Sequence, residues 1–226
     1  MDLKSIVRKD MQVRVLPPLP SLERRARRRF ADYSYLLGLY LGDGYINRTR
    51  ATYRLHIYLH RDDHVVIAKA ARTIRRLRPD HPVGLRRKGA MAIVNAYFNG
   101  WPRLFPQHGA GPKHVRSIAL EPWQRKIVER YTAEFVRGCI DSDGCRHRRI
   151  VAGRDYPAYS FANASEDILG IFTWACGLLG IGWRRANRGT ISIARRADVA
   201  RLDHLFEWAP QQLALPLTPP TPFHPR

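Results

Sequence analysis

Two nine-residue segments of this 226-residue chain, 100 positions apart, have nearly the same pattern. They span Leu36–Gly44 and Val136–Gly144, and each has a small residue four positions after a glycine, followed at once by Asp-Gly. Residues four apart lie on one face of a helix, and small residues there let a second backbone approach closely. The pattern therefore predicts two helices that pack on each other. The predicted packing residues are Gly38 and Gly42 in the first copy, and Gly138 and Ser142 in the second.

An aspartate ends each predicted helix. Asp43 and Asp143 each precede a glycine, which lets the chain turn sharply out of the helix. If the two helices pack together, the two carboxylates meet at one end of their interface. Paired carboxylates repel each other and lose hydration, and a divalent cation removes that cost and can activate a water molecule. The pattern therefore indicates chemistry that depends on Mg²⁺ or Mn²⁺.

The charge of the chain indicates the partner. Thirty-nine basic residues, most of them arginine, oppose 19 acidic ones, which gives a net charge of +20. Such an excess repels itself in a compact fold unless a polyanion binds, and the planar fork of arginine suits phosphates and guanine edges. We therefore expect nucleic acid as the partner, ahead of an anionic membrane. No apolar run is long enough to span a membrane, and the sparse cysteines favour a reducing compartment. We expect a cytoplasmic protein, associated with the nucleoid in a prokaryote.

The segments after the two motifs repeat one order of predicted elements. Strict alternation predicts a strand over Arg54–His60, and a helix follows from Asp62 or Asp63 to Leu77. Ser165 is expected to cap the corresponding second helix. The same pattern, an apolar residue followed by Gly-x-Arg-Arg, occurs at Val83–Arg87 and at Ile181–Arg185, 98 residues apart. The match argues for a duplicated unit. Further strands are predicted over 83–88, 92–97, 158–163, 182–186 and 190–194, and closing helices over 101–105, 123–130 and 199–208.

This order predicts an α+β fold of two pseudo-symmetric αββαββα units, each with a four-stranded antiparallel sheet, packed through the two motif helices. We expect residues 1–31 to form a basic arm and helix, 32–130 the first unit, 131–215 the second unit and 216–226 a proline-rich tail. The short basic helix, over about 22–31, has five arginines between Arg24 and Arg29 and is expected to contact phosphates. The first motif helix is expected to begin separately, near Tyr33.

The two motif copies, the repeat and the charge together resemble the LAGLIDADG homing endonuclease family in its single-chain form. The resemblance implies a monomer whose two sheets lie over the major groove of a long, pseudo-palindromic double-stranded DNA site. It implies that Asp43 and Asp143 bind divalent metal beside the scissile phosphates, with Gly42 and Ser142 next to them in the metal site. The chain departs from the usual pattern at Arg137 and Cys139 of the second copy, and the sixth motif position is Leu41 in the first copy and Asp141 in the second.

The family also places a basic residue near the active site after the fourth strand of each unit. Lys113, in a glycine-rich loop, matches that position in the first unit. The second unit has no lysine there, and Gln211 or Gln212 is the candidate substitute, a hydrogen-bond donor without charge. We therefore predict that the two strands are cut at unequal rates, with the slower nick on the Gln211 side.

Residues of the predicted sheets supply the expected DNA contacts. A β-ribbon fits the wide major groove of B-form DNA and not the deep groove of A-form RNA. A metal-dependent DNA endonuclease is therefore favoured over a non-cleaving DNA-binding regulator, which has no evident use for paired carboxylates, and over an RNA-processing relative. The predicted DNA-binding residues are Arg48, Arg54, His56, Tyr58, Arg86, Lys88, Arg146, Arg148, Arg184 and Arg188.

Overall fold

The computed structural model of the chain describes residues 20–151 and 153–206. Its first unit begins with a long helix and contains one sheet. The elements are α1 (Pro20–Asp43), β1 (Gly44–Arg48), β2 (Tyr53–His60), α2 (His64–Leu77), β3 (Val83–Lys88), β4 (Met91–Tyr97), α3 (Trp101–Leu104), a 3₁₀ turn (Lys113–Val115) and α4 (Pro122–Arg130).

The second unit repeats this order. Its elements are α5 (Thr132–Asp143), β5 (Gly144–Val151), β6 (Arg154–Ala162), α6 (Glu166–Leu178), β7 (Arg184–Asn187), β8 (Thr190–Ile193) and α7 (Arg196–Leu205). Both sheets are antiparallel, with strand orders β1-β2-β4-β3 and β5-β6-β8-β7. The predicted α+β fold with two pseudo-symmetric units is therefore confirmed. Most of the predicted N-terminal arm, the proline-rich tail and the predicted end of the last helix lie outside the described residues.

The two predicted helices at the start of the first unit are one helix. α1 runs through Asp32 for 24 residues without a break. The carboxylate of Asp32 binds the guanidinium of Arg76 on α2, and the hydroxyl of Ser34 donates to the carbonyl of Tyr131. Because distant partners satisfy these polar side chains, neither competes for the α1 backbone, and the helix continues.

α1 and α5 pack against each other through glycine. A Cβ atom added to Gly138 would strike the carbonyl oxygen of Tyr35 and lie 3.0 Å from the nitrogen of Leu39. One added to Gly38 would lie 2.8 Å from the nitrogen of Cys139. The two backbones are therefore in direct contact, which only glycine at these positions permits.

Arg137, a departure from the family pattern in α5, pairs with Asp141 at the sixth motif position. The guanidinium Nε of Arg137 donates to Asp141 Oδ1 (2.6 Å), one helical turn away. The hydroxyl of Tyr35 donates to Asp141 Oδ2 (2.9 Å), and the ammonium of Lys69 on α2 lies 3.5 Å from the same oxygen. The buried carboxylate of Asp141 therefore links the second motif helix to two helices of the first unit.

The sheet registers correct the repeat alignment at the last hairpin. With Gly44 and Gly144 as equivalent positions, the strand pairing makes Leu85 equivalent to Arg185, a separation of 100 residues rather than 98. The predicted alignment of the two Gly-x-Arg-Arg segments is therefore wrong by two residues. The second hairpin has shorter strands and an irregularity between Arg185 and Asn187, which shifts its side chains relative to the first.

Candidate active site and nucleic-acid interface

α1 and α5 end side by side at the two aspartates. A Cβ atom added to Gly42 would lie 2.7 Å from the Cβ of Ser142 and 2.9 Å from Oδ2 of Asp143. β1 and β5 begin at the next residue of each chain segment, so Asp43 and Asp143 stand where the helix pair meets both sheets. The close approach at Gly42 therefore brings the two motif ends into one site.

Burial and mutual repulsion disfavour ionisation of this pair. Burial, and then the charge of Asp143, raise the pKa of Asp43 to about 7, although Lys113 opposes the increase. Burial also raises the pKa of Asp143, and a hydrogen bond from Asn163 and the charge of Lys113 oppose that increase. The site therefore holds negative charge at a cost that a bound cation would remove.

Lys113 caps the C-terminal end of α1. Its ammonium donates to the carbonyl oxygens of Tyr40 (2.5 Å), Leu41 (3.0 Å) and Gly42 (2.9 Å). Burial lowers the pKa of Lys113 to about 8, and the carboxylates of Asp143 and Asp43 oppose the decrease. The loop that carries Lys113 turns at Gly111, whose φ of +77° favours glycine. The lysine therefore neutralises the negative end of the helix and interacts with both carboxylates.

Asn163 is the site residue that the sequence reasoning missed. Its Nδ2 donates to Asp143 Oδ2 (2.6 Å), and its Oδ1 accepts a bond from the backbone nitrogen of Ser165 (2.8 Å). Ser165 caps α6, as predicted, by accepting from the nitrogen of Ile168 (3.4 Å). Ser165 was predicted as the helix cap and Asn163 as the last residue of a strand, and the contact of Asn163 with a carboxylate 20 residues away had no sequence signal.

The donor set fits a small, hard cation. Within the described ranges, no cluster of three or more His, Cys, Asp and Glu side chains is placed to hold a metal. Two carboxylates suffice for Mg²⁺, which keeps several waters and takes its other ligands from phosphate. The carbonyl of Gly42 accepts from Lys113, and the hydroxyl of Ser142 donates to the carbonyl of Cys139 (2.9 Å). Asp43 and Asp143 are therefore the candidate metal ligands of this site.

The first sheet has an ordered polar outer face, on the side away from the helices. Arg54 donates to Oδ1 of Asn95 from Nε (3.1 Å) and Nη2 (2.8 Å), and His56 Nε2 lies 2.8 Å from Oδ1 of Asn47. Burial, and then Arg54 and Arg86, lower the pKa of His56. The strand register places six of the predicted and newly found polar residues on this face: Arg54, His56, Tyr58, Arg86, Lys88 and Asn95.

The second sheet has a different outer face. Cys145, Ser160, Ser192 and Arg184 form one row across its four strands, and His147 and Arg149 extend that face along β5. Arg188 is exposed in the turn between β7 and β8. In the equivalent row of the first sheet the corresponding residues are Tyr45, His56 and Asn95. A thiol and two hydroxyls therefore replace them in the second sheet.

Three predicted DNA contacts fall on the opposite, helix-facing side of their strands. Arg146 pairs with Tyr159 in the register and donates to both carboxylate oxygens of Asp203 (2.8 and 2.9 Å). The guanidinium of Arg148 binds the carboxylate of Asp155, and Arg48 pairs with Tyr53. The sequence of β5 has no clear alternation of apolar residues. Its pairing with β6 therefore determines which of its side chains face the helices and which lie on the outer face of the sheet. Gln211 lies outside the described residues.

The fold is that of the LAGLIDADG homing endonucleases. A variant of the homing endonuclease I-DmoI in complex with its target DNA matches 80% of this chain and 98% of its own, with a TM-score of 0.53 and 13% identity. The LAGLIDADG meganuclease I-AabMI bound to uncleaved DNA matches 79% of this chain and 84% of its own, with a TM-score of 0.50 and 10% identity. At these identities the likeness establishes the fold.

The same fold occurs in full-length WhiA from Thermatoga maritima. It matches 78% of this chain, with a TM-score of 0.51 and 14% identity, and the match spans 55% of WhiA. No protein-family model and no curated protein sequence matches the chain. Among the described helices, none has the length and apolar character needed to cross a membrane.

Proposed function

We propose that this protein is a sequence-specific, divalent-metal-dependent endonuclease of double-stranded DNA that acts as a monomer. The observation that carries the proposal is the pair of partly buried carboxylates, Asp43 and Asp143, at the paired helix ends between two sheets with basic outer faces. The DNA complexes of I-DmoI and I-AabMI, which share the fold, support it. Two pseudo-symmetric units suit a long duplex site with one half under each sheet.

Each residue has a distinct part in the proposed chemistry. Asp43 and Asp143 would hold Mg²⁺ or Mn²⁺, which supplies an activated water and stabilises charge on the phosphate. Asn163 holds the carboxylate of Asp143 by a hydrogen bond. The ammonium of Lys113 favours the ionised form of both carboxylates and holds the end of α1 in place. The outer faces of the sheets position the duplex and read its bases.

The test is incubation of the protein with a randomised duplex library and Mg²⁺, followed by sequencing of the cleaved and the bound fractions. Enrichment of one long site in both fractions would support the endonuclease. Enrichment in the bound fraction alone would favour the alternative, a non-cleaving DNA-binding protein on the same fold.

Replacing Lys113 with Met should slow both nicks by about 10²–10³, the order of magnitude lost when one preorganised donor is removed from an active site. The sequence alone predicted that Lys113 serves one strand, but Lys113 interacts with both carboxylates, so we now expect a contribution to both nicks. Time courses on duplexes labelled separately on each strand measure the effect. Lys126→Met, an exposed lysine on α4, is the matched control and should leave both rates unchanged. Slowing of one nick alone would show that Lys113 serves a single strand.

Arg86→Ala and Arg184→Ala should relax base preference in opposite halves of the site, because these arginines lie on the outer faces of different sheets. Arg87 and Arg185, their neighbours on the same strands, point to the other face and provide matched controls. Selection of bound sites from the library measures the preference at each position. Equal effects of Arg86→Ala and Arg87→Ala would mean that these side chains act through charge alone.

A further inference from the structure

The N-terminal half of α1 carries a dense group of arginines for which the proposed chemistry has no use. Five arginines lie between Arg24 and Arg29, and all are exposed. Within the described residues, one ion pair reaches this run, between Glu23 and Arg27 at 3.7 Å. Two exposed arginines of α2 lie toward the same end of the first unit. We call this group the α1–α2 basic surface, and it comprises Arg24, Arg25, Arg28, Arg29, Arg72 and Arg75.

Two contacts join the helices at this surface. The guanidinium of Arg29 donates to the carbonyl of Leu77 (3.3 Å), and Arg76 binds the carboxylate of Asp32. Both contacts place the C-terminal end of α2 beside the N-terminal half of α1. The surface is therefore built from two helices that are fixed to each other.

This surface lies far from the proposed active site. With a rise of about 1.5 Å per residue, Arg29 is about 21 Å and Arg24 about 28 Å from Asp43 along the axis of α1. α1 and α2 also pack on the inner side of the first sheet, opposite its outer face. A duplex held on the outer faces and against the carboxylates therefore does not reach these arginines.

The arrangement is unfavourable without a partner. Arg24 and Arg28, and likewise Arg25 and Arg29, are four residues apart on one helix, where like charges repel. DNA bound at the outer faces would not relieve that repulsion. A phosphate backbone would, because each guanidinium can donate two parallel hydrogen bonds to phosphate oxygens. A membrane is a poorer partner, because an interfacial helix needs an apolar face and the run offers only alanine between its arginines.

We propose that the α1–α2 basic surface is a second nucleic-acid site. It binds the phosphodiester backbone of a separate DNA or RNA segment without reading its bases, while the outer faces of the sheets hold the first duplex. The protein would thereby bridge two nucleic-acid segments, an activity beyond the proposed cleavage.

A bridging assay with the full chain in EDTA tests this. Wild-type protein on an immobilised duplex should capture a second labelled duplex, or a labelled RNA hairpin, from solution. Four neutralised phosphates predict that capture falls about 10²-fold between about 50 and 200 mM salt. The variant R24Q/R25Q/R28Q/R29Q should lose at least about tenfold of the captured label at low salt. Comparing the duplex and the hairpin distinguishes DNA from RNA as the second segment.

A charge-matched variant is the control. It replaces four exposed basic residues of other helices with Gln, namely Arg103, Lys126, Arg130 and Arg196, and should keep wild-type bridging. The variant R72Q/R75Q changes the part of the same surface that α2 contributes. It should lose part of the bridging, and this measurement tests the proposal even if the α1 variant unfolds. If the control variant and the α1 variant lose captured label equally, the loss reflects only the lower net charge of the protein. That result would overturn the proposal.

A third variant separates this proposal from the proposed function. With Arg54, Arg86 and Arg184 changed to Glu, the outer faces should no longer hold DNA, yet the protein should still bind the labelled hairpin directly. If this variant binds the hairpin directly but the wild type does not bridge, the second site binds nucleic acid and the outer faces do not. That result would contradict the proposed function and support the second site. Absence of both, or capture of phosphatidylserine vesicles in place of nucleic acid, would overturn the second site.

Discussion

Replacing Asp43 with Asn should sharply reduce cleavage and at the same time stabilise the metal-free protein at pH 8. Loss of one of the two carboxylates proposed to bind metal is expected to lower the rate of both nicks by at least about 10³, and Asp143→Asn should behave alike. Binding of the duplex should persist, because the change removes negative charge next to phosphates. Strand-specific cleavage and binding assays in Mg²⁺ measure these effects. Cleavage by wild-type protein in EDTA would contradict the mechanism.

The stabilisation follows from the pKa of Asp43. Its pKa in the folded protein is about 7, above the ordinary value near 4, so the folded state binds this proton more tightly than the unfolded state does. That stabilisation is complete below about pH 4 and is lost as the pH rises through about 7, at a cost of up to about 4 kcal/mol. The amide side chain of the Asp43→Asn variant cannot ionise, so the stability of that variant should change less over this range.

Urea unfolding at pH 5 and pH 8 in EDTA measures this difference. The wild type should be less stable at pH 8 than at pH 5, and Asp43→Asn should narrow the gap. Asp80→Asn, which removes an exposed carboxylate of the first unit, is the control and should leave the gap unchanged. If the difference in stability between pH 5 and pH 8 is equal in the wild type and in Asp43→Asn, ionisation of Asp43 does not destabilise the folded protein.

Replacing Gly138 with Ala should destabilise the protein by about 4–5 kcal/mol or more. The added Cβ would strike backbone atoms of α1, and neither helix can move away without opening the interface between the two units. Thermal unfolding and size-exclusion chromatography measure the loss. The carboxylates depend on this contact for their approach, so any folded fraction should also cleave slowly.

Gly170→Ala is the matched control, because Gly170 lies in the interior of α6 and nothing lies within 4 Å of an added Cβ. Alanine there should be neutral or stabilise the protein by about 0.5–1 kcal/mol, since it restricts the unfolded chain and favours helix. Similar effects of the two substitutions would show that the helices do not depend on glycine for their contact.

Local patterns were sufficient for much of the fold. Alternation predicted β2, the periodicity after Asp63 predicted α2, and Ser165 was recognised as a cap. Such features depend on the period of neighbouring residues, which the sequence contains directly. The repeated motif likewise predicted that α1 and α5 form a pair, because small residues four apart have a specific packing consequence.

The features that the sequence did not predict depend on contacts between residues that are distant in sequence. The face of Arg146 was decided by its pairing with Tyr159 and its bond to Asp203, because β5 lacks an apolar alternation that would reveal its register. Asn163 reaches Asp143 only through the turn that begins α6. Such contacts have no local pattern.

The sequence by itself determined that two motif helices pair, the order of most elements, the aspartates at the helix ends and the strongly basic character of the chain, although it did not predict that the first motif helix begins at Pro20. Only the tertiary structure decided which arginines lie on the outer faces of the sheets, such as Arg86, and which face the helices, such as Arg146. The physical reason is that helix and strand periods arise from neighbouring residues, whereas the position of a charge in space depends on packing between segments about 100 residues apart.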